Sequence, residues 1–231
     1  MSVEGRTVLI AGATSASGRA VARALLDAGA RVVAVGSDQG RIDALESELP
    51  GVIGERADLT DGDDVLELAM RVHARVGDVD GVVQLVGGWR GGGGIADQTE
   101  EDYRVLERSF SALRHVSRAF WDDLVASPAG RIAIVSSTTV AAPTAGAANY
   151  TAVKAAGESW MQSLAHGFAA LRQTRRPGDA QGSGGGAAAV TFRVSSLSGL
   201  EDRLAASVVD LWLADASTIN GSVTELAGDR A

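Results

Sequence analysis

The chain has 231 residues, enough for one ordinary globular domain and cramped for two. Lys+Arg 21 against Asp+Glu 29 leaves a net charge of −8, the wrong sign for a generic nucleic-acid binder. With no cysteine, disulfides, thiolate metal sites and a cysteine nucleophile are excluded.

The first thirty residues set the class. Thr7–Ala11 is a short apolar run of the kind found in a buried parallel strand. A glycine-rich turn follows from Gly12 to Gly18. Val21, Ala22, Leu25 and Leu26 then recur at helical spacing, and Gly29 closes the helix before a second strand at Arg31–Gly36. The alternation continues with a helix marked by Ile42, Leu45 and Leu49, a weak strand near Val52–Ala57, a helix marked by Val65, Leu68 and Val72, and a strand at Gly81–Val86.

One long amphipathic helix is predicted to carry Leu106, Phe110, Leu113, Val116, Phe120 and Leu124 ahead of a strand at Arg131–Ser136. Another runs roughly from Asn149 to Leu171, with Trp160, Met161, Leu164 and Phe168 on one side as core or as an oligomer face. A strand at Ala188–Val194, a helix at Glu201–Leu213 and a strand at Ser222–Leu226 complete the chain. This order predicts an α/β fold: a doubly wound, Rossmann-like parallel sheet of about seven strands with helices on both faces, in a single domain spanning 1–231. Residues 177–187 read as a flexible glycine-rich loop. The glycine-rich run after Gly87 sits at a strand's C-terminal end, where open sheets bind ligands, with Trp89 and Arg90 as rim candidates.

Neither a signal peptide nor an apolar run near the ~18 residues of a membrane span is present, so a soluble, cytoplasmic protein is expected. His73, His115 and His166 lie too far apart for a local zinc motif and read as structural or surface residues; no metal is expected.

Three groups carry the chemistry. In the first turn, Gly12 permits a tight exit from the strand and Gly18 a close helix–sheet approach, leaving helix N-terminal amides to face a pyrophosphate. Tyr150 and Lys154 lie one helical turn apart, and the neighbouring ammonium is expected to lower the phenol pKa from near 10. The chain holds only two tyrosines, and Lys154 is its only lysine; the other basic residues are all arginine. Ser137, at the end of the fifth strand, supplies a hydroxyl that can donate to a substrate oxygen beside the tyrosine.

Together these motifs resemble the short-chain dehydrogenase/reductases of the single-domain type, over nearly the whole chain. The matching residues are Gly12 and Gly18, Asp58-Leu59, Gly87, Ser137, Tyr150-Thr151-Ala152-Val153-Lys154 and the tail from Ile219 to Thr224. The resemblance implies NAD(P)(H) as cofactor, with NAD versus NADP undecided, and a carbonyl or alcohol as small-molecule substrate. It implies Tyr150 as general acid/base, Lys154 binding the ribose and lowering the tyrosine pKa, and Ser137 orienting the oxygen. Nucleotide contacts are implied for Gly12, Thr14, Ser15, Ser17, Gly18, Ser37, Asp58, Leu59, Val86, Gly87, Tyr150 and Lys154. Many relatives are homodimers or homotetramers; membrane and nucleic acid are not implied as partners.

Four departures stand out. Ala16 replaces the middle glycine of the first motif, and Gln84-Leu85-Val86-Gly87 replaces Asn-Asn-Ala-Gly. Ser109 stands where the family has an asparagine that holds a relay water. Val194-Ser195-Ser196-Leu197-Ser198-Gly199-Leu200 leads directly into a helix where a substrate lid is usual. Ser37 with Arg41 can receive a 2′-phosphate, whereas Asp38 opposes one. A binding or scaffold protein on the same fold, and a non-redox acid/base reaction in the same site, are the alternatives to an oxidoreductase.

Overall fold

Val, Ile, Leu and Ala fill most of the central strands without alternation, as burial on both faces requires. The structure is a computed structural model and describes residues 2–174 and 186–227. Its strands are β1 (Thr7–Ala11), β2 (Arg31–Gly36), β3 (Val52–Arg56), β4 (Gly81–Gln84), β5 (Arg131–Ser137), β6 (Ala188–Val194) and β7 (Val223–Glu225). They form one seven-stranded sheet in the order β3-β2-β1-β4-β5-β6-β7, every pair parallel.

The helices are α1 (Ala16–Asp27), α2 (Gln39–Glu48), α3 (Gly62–Val76), α4 (Glu100–Ala119), α5 (Trp121–Ala126), α6 (Ala148–Thr174), α7 (Glu201–Asp210) and α8 (Ala216–Ile219). One face of the sheet buries Val21 and Leu25 of α1 with Leu204 and Val208 of α7. The other buries Leu68 and Val72 of α3, Leu113 and Val116 of α4, and Met161 and Phe168 of α6. The doubly wound fold is therefore as the sequence predicts. Chain direction across the sheet reverses between β1 and β4, which opens a crevice at their C-terminal ends.

Some local expectations change. The fourth strand ends at Gln84 rather than Val86, because the chain peels away toward the crevice once Leu85 N has bonded Ala11 O. The long helix through Leu124 is interrupted at Phe120, whose φ of −107° and ψ of 14° end α4 and begin α5. That break seats both Phe120 and Leu124 in the core and turns Asp123 inward, where it accepts from Val79 N at 3.0 Å and pairs with His73 at 2.8 Å.

Most of the loop expected at 177–187 lies outside the described residues. Its last two members, Gly186 and Ala187, lead into β6. Both are buried; Gly186 O accepts from Arg131, and Ala187 O accepts from Arg172 at 2.6 Å. In the Trp160 stripe, Met161 and Phe168 are core, while Trp160 and Leu164 pack against it half-buried.

Arg131 is 2% exposed and donates to the carbonyls of Leu211, Gly130, Gly186 and Ala214. Burial pulls its pKa down to about 10. It ties the start of β5 to the turn after α7.

Candidate active site

The turn after β1 forms the crevice floor. Gly12 has φ +85°, and a Cβ there would stand 3.0 Å from the Leu85 carbonyl carbon and Val86 N, so only glycine fits. A Cβ on Gly18 would meet Ala13 O at 2.4 Å, which is why α1 can lie this close to the strand it follows. Ser15 caps α1, its Oγ accepting from Gly18 N and donating to Gly12 O, both at 3.0 Å. Helix geometry leaves the amides of Ala16 and Ser17 without intrahelical acceptors, and both residues line the crevice. Ala16 opens α1 with ordinary helical backbone, so the missing glycine removes no conformation the turn requires.

Two cavities share Ser15, Leu85, Val86 and Gly87. The larger, about 610 Å³, extends past Tyr150 and Lys154 to Ser195–Ser198 and Trp89. The smaller, about 360 Å³, reaches Gly12, Thr14, Ser37, Arg41, Asp58 and Leu59. A long ligand lying across Gly87 would occupy both. Residues 195–200 alone join β6 to α7, so the larger cavity has no helical cover from this segment.

Ser137 is 2% exposed, and its Oγ accepts from Thr139 N at 3.2 Å and Thr139 Oγ1 at 3.0 Å. Ser137 also acts on Tyr150, favouring its phenolate and so opposing the effect of burial. Lys154 Nζ donates to Val135 O at 2.9 Å and stands 5.7 Å from the Tyr150 ring centroid.

The charge states differ from the sequence expectation. Tyr150 is not lowered: burial pushes its phenol above the ordinary value, and the Ser137 hydrogen bond offsets only part of that. Burial also pulls Lys154 down to about 8, with Glu158 acting in the opposite direction. The lysine's charge is anchored to a backbone carbonyl rather than to the phenol, so desolvation decides the tyrosine's titration.

Of the residues the sequence singles out, Thr14, Ser15, Ser17, Ser37, Asp58, Leu59, Val86, Gly87, Tyr150 and Lys154 line one or both cavities with Gly12. Gly18 lies on the buried face of α1, and Ser137 lines neither cavity. Asp58 is fixed by Thr60, whose amide and hydroxyl both donate to its Oδ1 and hold its pKa below the usual carboxylate value. Ser109 lines a separate void of about 30 Å³ with Gln84 and Lys154, and its hydroxyl is spent on Leu106 O at 2.7 Å. Trp89 lines the rim and is exposed, whereas Arg90 lies outside both cavities. Asp38 caps α2 by accepting from Arg41 N, and it is Ser37 and Arg41 that face the smaller cavity.

Sequence reading missed three polar residues at this site. Gln84 is buried with both amide atoms unpartnered. Glu158 and Arg193 form an ion pair beside Lys154. A glutamate one helical turn past the lysine was the only available signal.

Residues 6–172 match the short chain dehydrogenase family. The chain belongs to that family. Among curated relatives, the 3-oxoacyl-[acyl-carrier-protein] reductase FabG of Escherichia coli is 28% identical over 167 residues, covering 71% of this chain and 68% of its own. The uncharacterized oxidoreductase YvrD of Bacillus subtilis is 31% identical over 170 residues, covering 72% and 62%. In fold, serine dehydrogenase from Escherichia coli superposes with a TM-score of 0.81 at 20% identity, over 95% of this chain and 96% of that one. Another solved short chain dehydrogenase/reductase family protein gives 0.80 at 25% identity, over 98% and 97%. Membership makes this short-chain dehydrogenase an NAD(P)-dependent oxidoreductase. No helix among the described residues is long and apolar enough to cross a membrane.

Proposed function

We propose that the protein reduces a carbonyl to an alcohol with NADPH, using Tyr150 as the proton donor. The observation that carries this reading is Tyr150 beside Lys154 on the wall of the 610 Å³ cavity, with the phenol held in its neutral form by burial. A neutral phenol is a proton donor, which suits the reductive direction.

The dinucleotide suits the residues present. Gly12 and Gly18 make the cradle a Cβ would fill, and the α1 N-terminus offers amides to a pyrophosphate. Asp58 and Leu59 would border the adenine, Val86 and Gly87 the middle of the molecule, and Lys154 the ribose next to the nicotinamide. When bound, the cofactor supplies a hydride. Tyr150 delivers the proton to the developing alkoxide, and the Ser137 hydroxyl steadies the same oxygen. Lys154 holds positive charge next to the proton donor.

NADPH is preferred over NADH in this reading because Ser37 and Arg41 line the smaller cavity while the Asp38 carboxylate is engaged in capping α2. The same reading includes a homodimer or homotetramer joined through α4 and α6. On those helices Phe110, Trp160 and Arg114 form a half-buried aromatic–cation cluster.

Titration with NADPH and NADH, followed by nicotinamide fluorescence and melting temperature, tests the cofactor assignment. Tighter binding of NADPH, weakened about tenfold by Arg41→Ala with NADH unaffected, is the expected result. Equal affinity for both nucleotides refutes the preference. Tyr150→Phe should bind nucleotide normally and lose at least ~100-fold in ketone reduction; undiminished turnover would exclude Tyr150 as the donor.

A further inference from the structure

Lys154 is half-buried on the wall of the larger cavity, and the charges next to it are fixed by the fold. Glu158 lies one turn further along α6 on the same face. Its carboxylate is 8% exposed and fully engaged: Ser136 Oγ donates to Oε1 at 2.6 Å, Arg193 Nε to Oε1 at 2.9 Å, and an Arg193 terminal nitrogen to Oε2 at 2.6 Å. Ser136 and Arg193 are register partners across β5 and β6. The two residues that hold the carboxylate are therefore set side by side by the sheet itself. Lys154 is tied to Val135 O, the residue next to Ser136. Lysine and glutamate are thus anchored to consecutive residues of one strand, and neither can drift relative to the other.

We propose that Glu158, clamped by Arg193 and Ser136, is a positioning residue: a fixed buried counter-charge that keeps Lys154 protonated beside Tyr150. The inference rests on the reading that Tyr150 and Lys154 are the proton-handling pair, and it acts through the lysine rather than on substrate. A carboxylate free to rotate would turn onto the ammonium or into water. The bidentate grip of Arg193 holds it where its field reaches Lys154 without a direct salt bridge. Glu158 itself stays ionised, its pKa lowered by Arg193 and Ser136 in spite of burial. The other charged groups around Lys154 have their own partners or lie further out. Glu201 accepts from Gly199 N at the far side of the cavity, Arg108 faces Asp58, and Glu225 lies beyond Arg193.

The same arrangement makes the two partners act with opposite sign. Removing Glu158 takes away the carboxylate whose charge favours the Lys154 ammonium and leaves the Arg193 cation in place. Removing Arg193 leaves the whole glutamate charge for Lys154.

Because Lys154 is the only lysine in the chain, uniform labelling with ε-¹³C-lysine gives one lysine resonance whose midpoint can be followed by NMR. The midpoint, about 8 in the unmodified protein, is expected to fall by ~0.5–1 pH unit in Glu158→Gln and to rise by a similar amount in Arg193→Gln. These shifts correspond to a three- to tenfold change in the lysine's protonation constant. A purely structural role for the pair would move both midpoints the same way or neither, and either result overturns the proposal. If one variant does not fold, the sign in the other decides.

The measurement needs neither nucleotide nor substrate, so a failure of the reductase reading would leave it intact. With turnover in hand, the alkaline limb of kcat should shift with the lysine midpoint in each variant.

Discussion

Replacing Lys154 with methionine should make the protein more stable at neutral pH while disabling it. An unfolded lysine titrates near 10.5, and burial in the native site lowers this to about 8. Below pH 8 both states bind the proton, but the native state binds it less firmly, so the charged side chain costs stability there. Between pH 8 and 10.5 the unfolded chain holds more protons than the native one, and stability rises with pH. The gap between 10.5 and about 8 corresponds to about 3 kcal/mol at most, since water at the mouth of the open cavity softens the penalty.

Methionine removes that penalty but also removes the bond to Val135 O, worth ~1 kcal/mol. Lys154→Met should therefore be more stable than the parent by ~1–2 kcal/mol at pH 7. The order should reverse by pH 10.5, where the native lysine is neutral and the unfolded one half protonated, so the lost hydrogen bond outweighs what is left of the penalty. Urea unfolding of both proteins at intervals from pH 7 to 10.5 measures the difference. No other lysine contributes, because there is none. A difference that stays flat across that range would show that Lys154 is not desolvated, and the description of the site would fail with it.

Three further outcomes follow from the geometry. Gly18→Ala places a methyl 2.4 Å from Ala13 O and should cost ~2–3 kcal/mol together with nucleotide affinity, whereas Gly77→Ala, with φ +79° and open space, should cost only ~1–2 kcal/mol; melting curves of both compare overlap against strain. Arg131→Met takes the donor from the carbonyls of Leu211, Gly186 and Ala214, Gly130 O keeping Ala188 N, and should destabilise by ~3–5 kcal/mol in urea unfolding, with catalysis in the surviving fraction unchanged. Gly81→Ala drives a Cβ to 2.5 Å from the ring of the buried Trp212 and should lower the melting temperature without altering nucleotide affinity, because β4 begins at the end of the sheet remote from the crevice.

The sequence alone determined the architecture and brought together most of the residues that line the two cavities. Apolar strand runs separated by amphipathic helices admit few arrangements other than a parallel sheet covered on both faces. The turn from Gly12 to Gly18 carries its own geometry, and a spacing of four on a helix places Tyr150 and Lys154 on one side whatever surrounds them. These are local facts, set by backbone stereochemistry within a few residues.

What the tertiary structure decided concerns solvent and partners from afar. The end of β4 at Gln84 and the break at Phe120 depend on what each segment packs against. The rise in the Tyr150 pKa reverses the sequence expectation because burial outweighs a lysine bonded elsewhere. Glu158 and Arg193 are 35 residues apart and meet only because β5 and β6 pair in one register. Periodicity reports which face a side chain takes; the energy of a charge depends on what covers that face, and distant segments supply the cover.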